Sequence, residues 1–299
     1  MQINVSNFRG VFTALVTPFK NELVDFESLE KLVEYQISSG INGLVLLGTT
    51  GESATLEDSE RTEVLKFILR IVKQRVPVLV GTGSNCTKKA IRYTIEAESL
   101  GADGALIVAP YYNRPTQSGL YLHFKAIAEA CHMPICLYSI PSRCGVEIDV
   151  ETISSLREKF SHIIGIKEAG GSCNRVAQII KAVDKDFCVL SGDDALTLPF
   201  FALGARGLIS VASNLAVKPL VDMMHHALTN NLEAAADINR RFYPFFRSLM
   251  VETNPVPIKQ ILYKAKLIAS PEVRLPLSPL SDEHVRFMEK IFNSLQGQF

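Results

Sequence analysis

Eight short apolar runs recur along this 299-residue chain: GVFTALVTPF (10–19), GLVLLGTT (43–50), VPVLVGTG (76–83), GALIVAPYY (104–112), PICLYSIP (134–141), IIGIKEA (163–169), CVLSGDD (188–194) and GLISVAS (207–213). They are rich in Val, Ile and Leu and show little alternation. A strand with one wet face would alternate. A run without alternation suits a strand buried on both faces, and such strands are parallel. Parallel neighbours need a crossover, and segments with helical spacing fill the gaps. DFESLEKLVEYQISS starts on Asp25, a good N-cap, and places Leu29, Leu32, Val33 and Ile37 on one stripe. LEDSERTEVLKFILRIVKQ and DVETISSLREKF have the same character. Gly40/Gly43, Gly101/Gly104 and Gly204/Gly207 each bracket a helix-to-strand joint. The first glycine of each pair suits a left-handed helix C-cap, and the second opens the strand.

Eight such alternations predict an α/β fold, a (β/α)8 TIM barrel. A doubly wound sheet is the competing architecture, but it does not need eight strands so evenly spaced. From Lys218 the pattern changes. KPLVDMMHHALTNN, LEAAADINRRFYPFFRSLMVE, PIKQILYKAKLI and SDEHVRFMEKIFNSLQ read as helices with no strand between them. The expected organisation is a catalytic barrel over residues 1–230 and a C-terminal helical extension over residues 231–299.

Charge excludes some partners. Lys plus Arg and Asp plus Glu both number 31, so the chain carries no net charge and no basic run for nucleic acid. The six cysteines form no CxxC pair and read as free thiols in a reducing compartment. The N-terminal segment MQINVSNFRGVFTALVTPF lacks a signal-peptide pattern, and no apolar stretch approaches a membrane span. The expectation is a cytoplasmic protein with no membrane partner.

In a parallel barrel, reactive groups belong at the C-terminal strand ends and in the loops after them. There the sequence places Gly48-Thr49-Thr50-Gly51-Glu52-Ser53, Pro110-Tyr111-Tyr112, Tyr138 with Arg143 in its loop, Lys167-Glu168, Ser191-Gly192-Asp193-Asp194 and Ser210. Lys167 is the most informative. It lies in an apolar run, and burying an ammonium is costly. A salt bridge to Glu168 is one explanation, but adjacent strand residues point to opposite faces. The other is a desolvated amine that attacks a carbonyl, which is Schiff-base chemistry. Tyr138 is either a core tyrosine or a proton shuttle beside that lysine. GTTGES is either an anion-binding turn entering the next helix or a turn whose hydroxyls only cap it. No Gly-Lys-Ser/Thr follows, so it is not a nucleotide-phosphate loop. Arg143 can fork onto a carboxylate, or it is a surface charge. The six histidines avoid the strand ends, so no metal cluster is expected around Asp193 and Asp194.

GTTGES, PYYNRPTQSGLYLHFKAIA, YSIPSRCG, IIGIKEA, LSGDD, GLISVASN and NPVPIK occur together and in order. In this the chain resembles the dihydrodipicolinate synthase family, pyruvate-dependent class I aldolases grouped with N-acetylneuraminate lyase. The resemblance implies an imine between Lys167 and pyruvate, with Tyr138, Thr49 and Tyr112 as a proton relay. It implies that Tyr112 comes from the neighbouring subunit of a homotetramer built as a dimer of dimers. It further implies that Thr50 holds the pyruvate carboxylate, that Arg143 binds aspartate semialdehyde, and that Gly192 and Ile209 form the pocket. No metal or organic cofactor is implied. The lyase branch typically lacks the arginine of SRCG, so Arg143 favours the synthase branch. A barrel that binds a small acid without turnover is the alternative of a different class. Two departures are visible. Ser139 and Cys144 replace the Asn and Thr common around Arg143, which puts loop hydrogen bonding in question. Arg61 and Lys89 stand where lysine-inhibited members carry a histidine and an acidic residue, while Asn85 and Tyr111 are kept. Two cations repel a lysine ammonium, so weak or absent lysine inhibition is expected.

Overall fold

All eight apolar runs contain a strand: β1 (Gly10–Ala14), β2 (Gly43–Leu46), β3 (Val78–Gly81), β4 (Gly104–Val108), β5 (Ile135–Ser139), β6 (Ile163–Glu168), β7 (Cys188–Ser191) and β8 (Gly207–Ser210). This computed structural model describes residues 8–299. The first seven residues, within the segment scanned for a signal peptide, lie outside the described part. The strands hydrogen-bond in sequential order and close into a parallel barrel. That is the (β/α)8 architecture expected from the alternation, and it excludes the open doubly wound sheet. Every residue of β1, β2, β5, β6, β7 and β8 is buried, which is why these runs do not alternate.

Helices follow the strands: α1 (Phe26–Ser38), α2 (Asp58–Val72), α3 (Thr87–Ser99), α4 (Gln117–Ala130), α5 (Val150–Lys159), α6 (Cys173–Ala182), α7 (Thr197–Ala202) and α8 (Val217–Leu228). Three more complete the chain: α9 (Leu232–Ser248), α10 (Val256–Lys264) and α11 (Asp282–Ser294). Asp25 caps α1 as its position predicts, accepting from the Ser28 N–H. The first glycine of each repeated pair is left-handed, with φ of +83° at Gly40, +89° at Gly101 and +109° at Gly204. Among the described residues no helix is long and apolar enough to cross a membrane.

By its contacts the chain forms two compact units. One comprises Pro77–Ile209 with the described residues up to Gly10. In it β3 to β8 lie side by side, and one apolar cluster runs from Ala90 to Ala205 through Leu120, Phe124, Leu137, Ile166 and Phe200. The other comprises Val11–Val76 and Ser210–Phe299. There β1 pairs with β2, Phe12 opposite Gly43. A small hairpin, Phe19–Lys20 with Leu23–Val24, ends the first apolar run. Gln36 of α1 is buried and polar. Its amide donates to the Ser213 and Asn214 carbonyls and its oxygen accepts from Thr13 Oγ1, so α1 and the turn after β8 share a satisfied polar core.

Candidate active site

In the first unit, β6 ends on Lys167 and Glu168, and the two side chains have different surroundings. Glu168 is fully buried. It takes the Arg175 Nε–H at 2.9 Å and the Gly170 N–H at 2.7 Å. Arg175, on α6, also donates to the Ile148 carbonyl and lies 3.3 Å from the Glu147 carboxylate. Burial pushes the Glu168 carboxyl above its usual range, and the Arg175 charge opposes that shift. Arg175 thus takes up the Glu168 charge, so a Lys167–Glu168 bridge does not form.

Lys167 is 6% exposed. Its Nζ lies 4.3 Å from the centroid of the Tyr138 ring, and Tyr138 is its register partner on β5. Among the described residues the ammonium makes no ion pair. Gly192, after β7, packs on the lysine stem. A Cβ there would sit 2.9 Å from Lys167 Cε and 2.7 Å from Ala169 Cβ, so only glycine fits. The Gly192 N–H donates to the Glu168 carbonyl at 2.8 Å, which ties the end of β7 to β6. Ile209 is fully buried on β8. Asp193 serves its own turn, accepting from the Ala195 N–H at 2.8 Å. Among the described residues no cluster of metal-ligating side chains occurs.

Arg143 is exposed on a one-turn helix, Pro141–Cys144, directly after β5. Two contacts answer the question of loop hydrogen bonding. Ser139 Oγ accepts from the Ile148 N–H at 3.5 Å, and Cys144 Sγ donates to the Ala109 carbonyl at 3.2 Å. Arg114 Nε reaches the Gly145 carbonyl at 3.0 Å and braces the loop. Tyr112 stands apart from Lys167 and Tyr138 in character. It is 90% exposed and left-handed, with φ of +72°. An exposed aromatic on a backbone conformation rare for its type is an unusual arrangement for a solvated loop.

In the second unit, GTTGES forms a tight turn after β2. Leu47 and Glu52 bracket it with positive φ, +55° and +51°. Neither is glycine, so tertiary contacts must hold the turn. Lys259 of α10, fully buried, donates to the Glu52 carboxylate and to the Glu272 carbonyl. The Arg274 N–H donates to the other Glu52 oxygen at 3.0 Å. The Lys259 ammonium and the Arg274 guanidinium lie 4.1 and 4.4 Å from the Phe19 ring centroid, and Arg274 pairs with Glu60 at 2.5 Å. Burial lowers the Lys259 pKa to about 8 against the pull of Glu52. Thr17 Oγ1 donates to the Gly51 carbonyl at 2.8 Å, and Asn254 Nδ2 donates to Thr50 Oγ1 at 3.0 Å. Thr50 is buried and Thr49 half-buried.

One expectation needs correction. The turn does not enter the next long helix. A 3-10 turn, Ser53–Thr55, intervenes, and α2 is capped by Glu57 with Glu60 in a capping box. The threonine hydroxyls therefore do not cap α2, and its N-terminus does not lend the turn a helix dipole. Sequence reasoning also missed Arg175, Glu147, Arg274, Lys259 and Asn254 as supports. A charged or amide residue inside the apolar NPVPIK stretch was the signal available for the last two.

The chain matches the model of the dihydrodipicolinate synthetase family over residues 7–295. It is 45% identical to the 4-hydroxy-tetrahydrodipicolinate synthase of Persephonella marina over 284 residues, covering 95% of this chain and 97% of that one. Among solved structures, the 4-hydroxy-tetrahydrodipicolinate synthase of Methylacidiphilum fumariolicum SolV superposes with a TM-score of 0.95 at 47% identity, over 96% of this chain and 95% of the other. A dihydrodipicolinate synthase variant described as the first monomeric one superposes with a TM-score of 0.95 at 41% identity, over 97% of both chains.

Proposed function

The chain belongs to the dihydrodipicolinate synthetase family, and from that premise we propose that it catalyses the 4-hydroxy-tetrahydrodipicolinate synthase reaction, condensing pyruvate with L-aspartate 4-semialdehyde in diaminopimelate and lysine biosynthesis. The observation that carries this reading is Lys167, buried on β6, unpaired with Glu168 and seated 4.3 Å over the Tyr138 ring. The reaction is of the lyase, class I aldolase type. The Lys167 amine adds to the pyruvate ketone and water leaves, giving a protonated imine. This is an electron sink, so a methyl proton is lost and an enamine forms. The enamine carbon attacks the aldehyde, making the new carbon–carbon bond. The product's amino group then adds to the imine carbon, expels the Lys167 amine and closes the ring. Tyr138, Thr49 and Tyr112 relay the protons. Thr50 holds the pyruvate carboxylate, Arg143 the carboxylate of the semialdehyde, and Gly192 and Ile209 shape the pocket. Every step runs on the Lys167 imine, so the chemistry needs no metal or organic cofactor.

The same reading assigns residues 1–230 to the catalytic barrel and 231–299 to a helical extension. It places the enzyme in the cytoplasm as a homotetramer, a dimer of dimers, with Tyr112 offered to a neighbouring subunit. The exposure and left-handed backbone of Tyr112 support that role. The test is pyruvate consumption with aspartate semialdehyde, beside N-acetylmannosamine, with Lys167→Ala as control. Turnover on the semialdehyde alone, abolished in the variant, is expected. Turnover on the sugar would move the protein to the lyase branch. Absence of any borohydride-trapped pyruvate on Lys167 would leave the non-catalytic barrel.

A further inference from the structure

We infer that Asn254 is a positioning residue that sets the Thr50 hydroxyl as a hydrogen-bond donor to the carboxylate of the keto-acid substrate; this rests on the functional reading above. Asn254 belongs to no barrel strand. It lies in NPVPIK, two residues before α10, and its Nδ2 donates to Thr50 Oγ1 at 3.0 Å. A threonine hydroxyl has one proton and two lone pairs. Once an N–H fills one lone pair from the Asn254 side, the Thr50 proton points elsewhere. A hydroxyl held that way donates to an anion, and a hydrogen bond to a charged group is among the stronger kinds. The turn gives Thr50 little freedom to do otherwise. Lys259 and the Arg274 N–H hold Glu52 on one side, Thr17 holds the Gly51 carbonyl, and Thr50 itself is 3% exposed. The extension therefore contributes hydrogen-bond direction to a strand-end turn.

Asn254→Asp reverses the polarity at nearly constant shape. The new carboxylate accepts the Thr50 proton and faces the substrate with like charge. The experiment is borohydride trapping on Lys167, read by mass spectrometry, over a range of pyruvate concentrations and, separately, of pyruvamide, which has no carboxylate. In Asn254→Asp the half-saturating pyruvate concentration should rise by about tenfold or more, while pyruvamide trapping changes little. A general structural defect would move both. In a Thr50→Val background the uncharged change Asn254→Ala should add little, because its effect passes through that hydroxyl. If Asn254→Asp does not fold, Asn254→Ala replaces it, with the same direction expected for pyruvate. An unmoved half-saturation for pyruvate, equal shifts for both ketones, or full additivity of Asn254→Ala with Thr50→Val overturns the inference while wild-type trapping stands. A wild-type protein that traps no pyruvate overturns the functional reading and the inference with it.

Discussion

Two buried lysines in this chain have opposite electrostatic settings. Lys259 faces a carboxylate, a carbonyl and an aromatic ring, so its charge is compensated. Lys167 has an aromatic face and a glycine beside it, while the nearest carboxylate in sequence is turned away to Arg175. The first pattern holds structure; the second leaves an amine available for chemistry. Gly192 leaves the room that amine's stem occupies. In Gly192→Ala the added methyl would meet Lys167 Cε at 2.9 Å and Ala169 Cβ at 2.7 Å. Such overpacking costs about 1–3 kcal/mol and shifts the side chain it strikes. Pyruvate turnover should fall at least about tenfold with the circular dichroism spectrum unchanged; a variant with wild-type kcat would refute the placement. Lysine feedback turns on two side chains, Arg61 and Lys89. Arg61 is largely buried, and Lys89 lies 5.4 Å from the Tyr93 ring centroid. We expect activity to stay above half at lysine concentrations that half-inhibit regulated members, measured by titrating lysine into the pyruvate assay. Lys167 was legible in the sequence because a charge inside an apolar run is a local signal. Arg175 was not, because its partner Glu168 sits on the other side of a loop and nothing local marks the pair.

Elements were legible in number and order, less so in their limits. Each apolar run contains its strand, but most strands stop early: the first run continues to residue 19 while β1 ends at Ala14. Residues 15–19 stay buried after β1 ends, so the first run carries on past its strand. Composition therefore cannot mark where pairing ceases. Nor can it show that α10 and the chain after it hold the turn that follows β2. Removing that support should be costly. In Lys259→Met the Glu52 carboxylate would remain buried with its main cation gone, a loss of about 3–5 kcal/mol. Adding Glu52→Gln should recover much of it, because replacing both partners of a buried pair leaves no orphaned charge. Urea denaturation of the single and double variants checks this, and equal stabilities for Lys259→Met and the double variant would contradict it.

For the whole molecule, the barrel was legible because eight alternations of strand and helix leave few topologies, and right-handed crossovers of neighbouring parallel strands close in order. The assembly was not legible from residue physics alone; only the family resemblance speaks to it. Tyr112 makes it testable. Its ring is 90% exposed on a left-handed residue, yet the relay proposed for the reaction needs that hydroxyl beside a lysine-bound intermediate. Supply by a neighbouring subunit resolves the conflict, and it has a consequence that a monomer cannot imitate. Tyr112→Phe keeps Lys167 but offers no phenol to its neighbour; Lys167→Ala offers the phenol but has no amine. Each should be nearly inactive by itself. Mixed and allowed to exchange subunits, they form pairs in which one site has its own Lys167 and receives Tyr112 from the other chain. Random pairing should restore about a quarter of wild-type activity. Sedimentation of the mixture at four times the chain mass would place those pairs in a tetramer. If the mixture stays as inactive as its components although exchange is demonstrated, Tyr112 acts within its own chain or not at all, and the shared-site assembly is wrong.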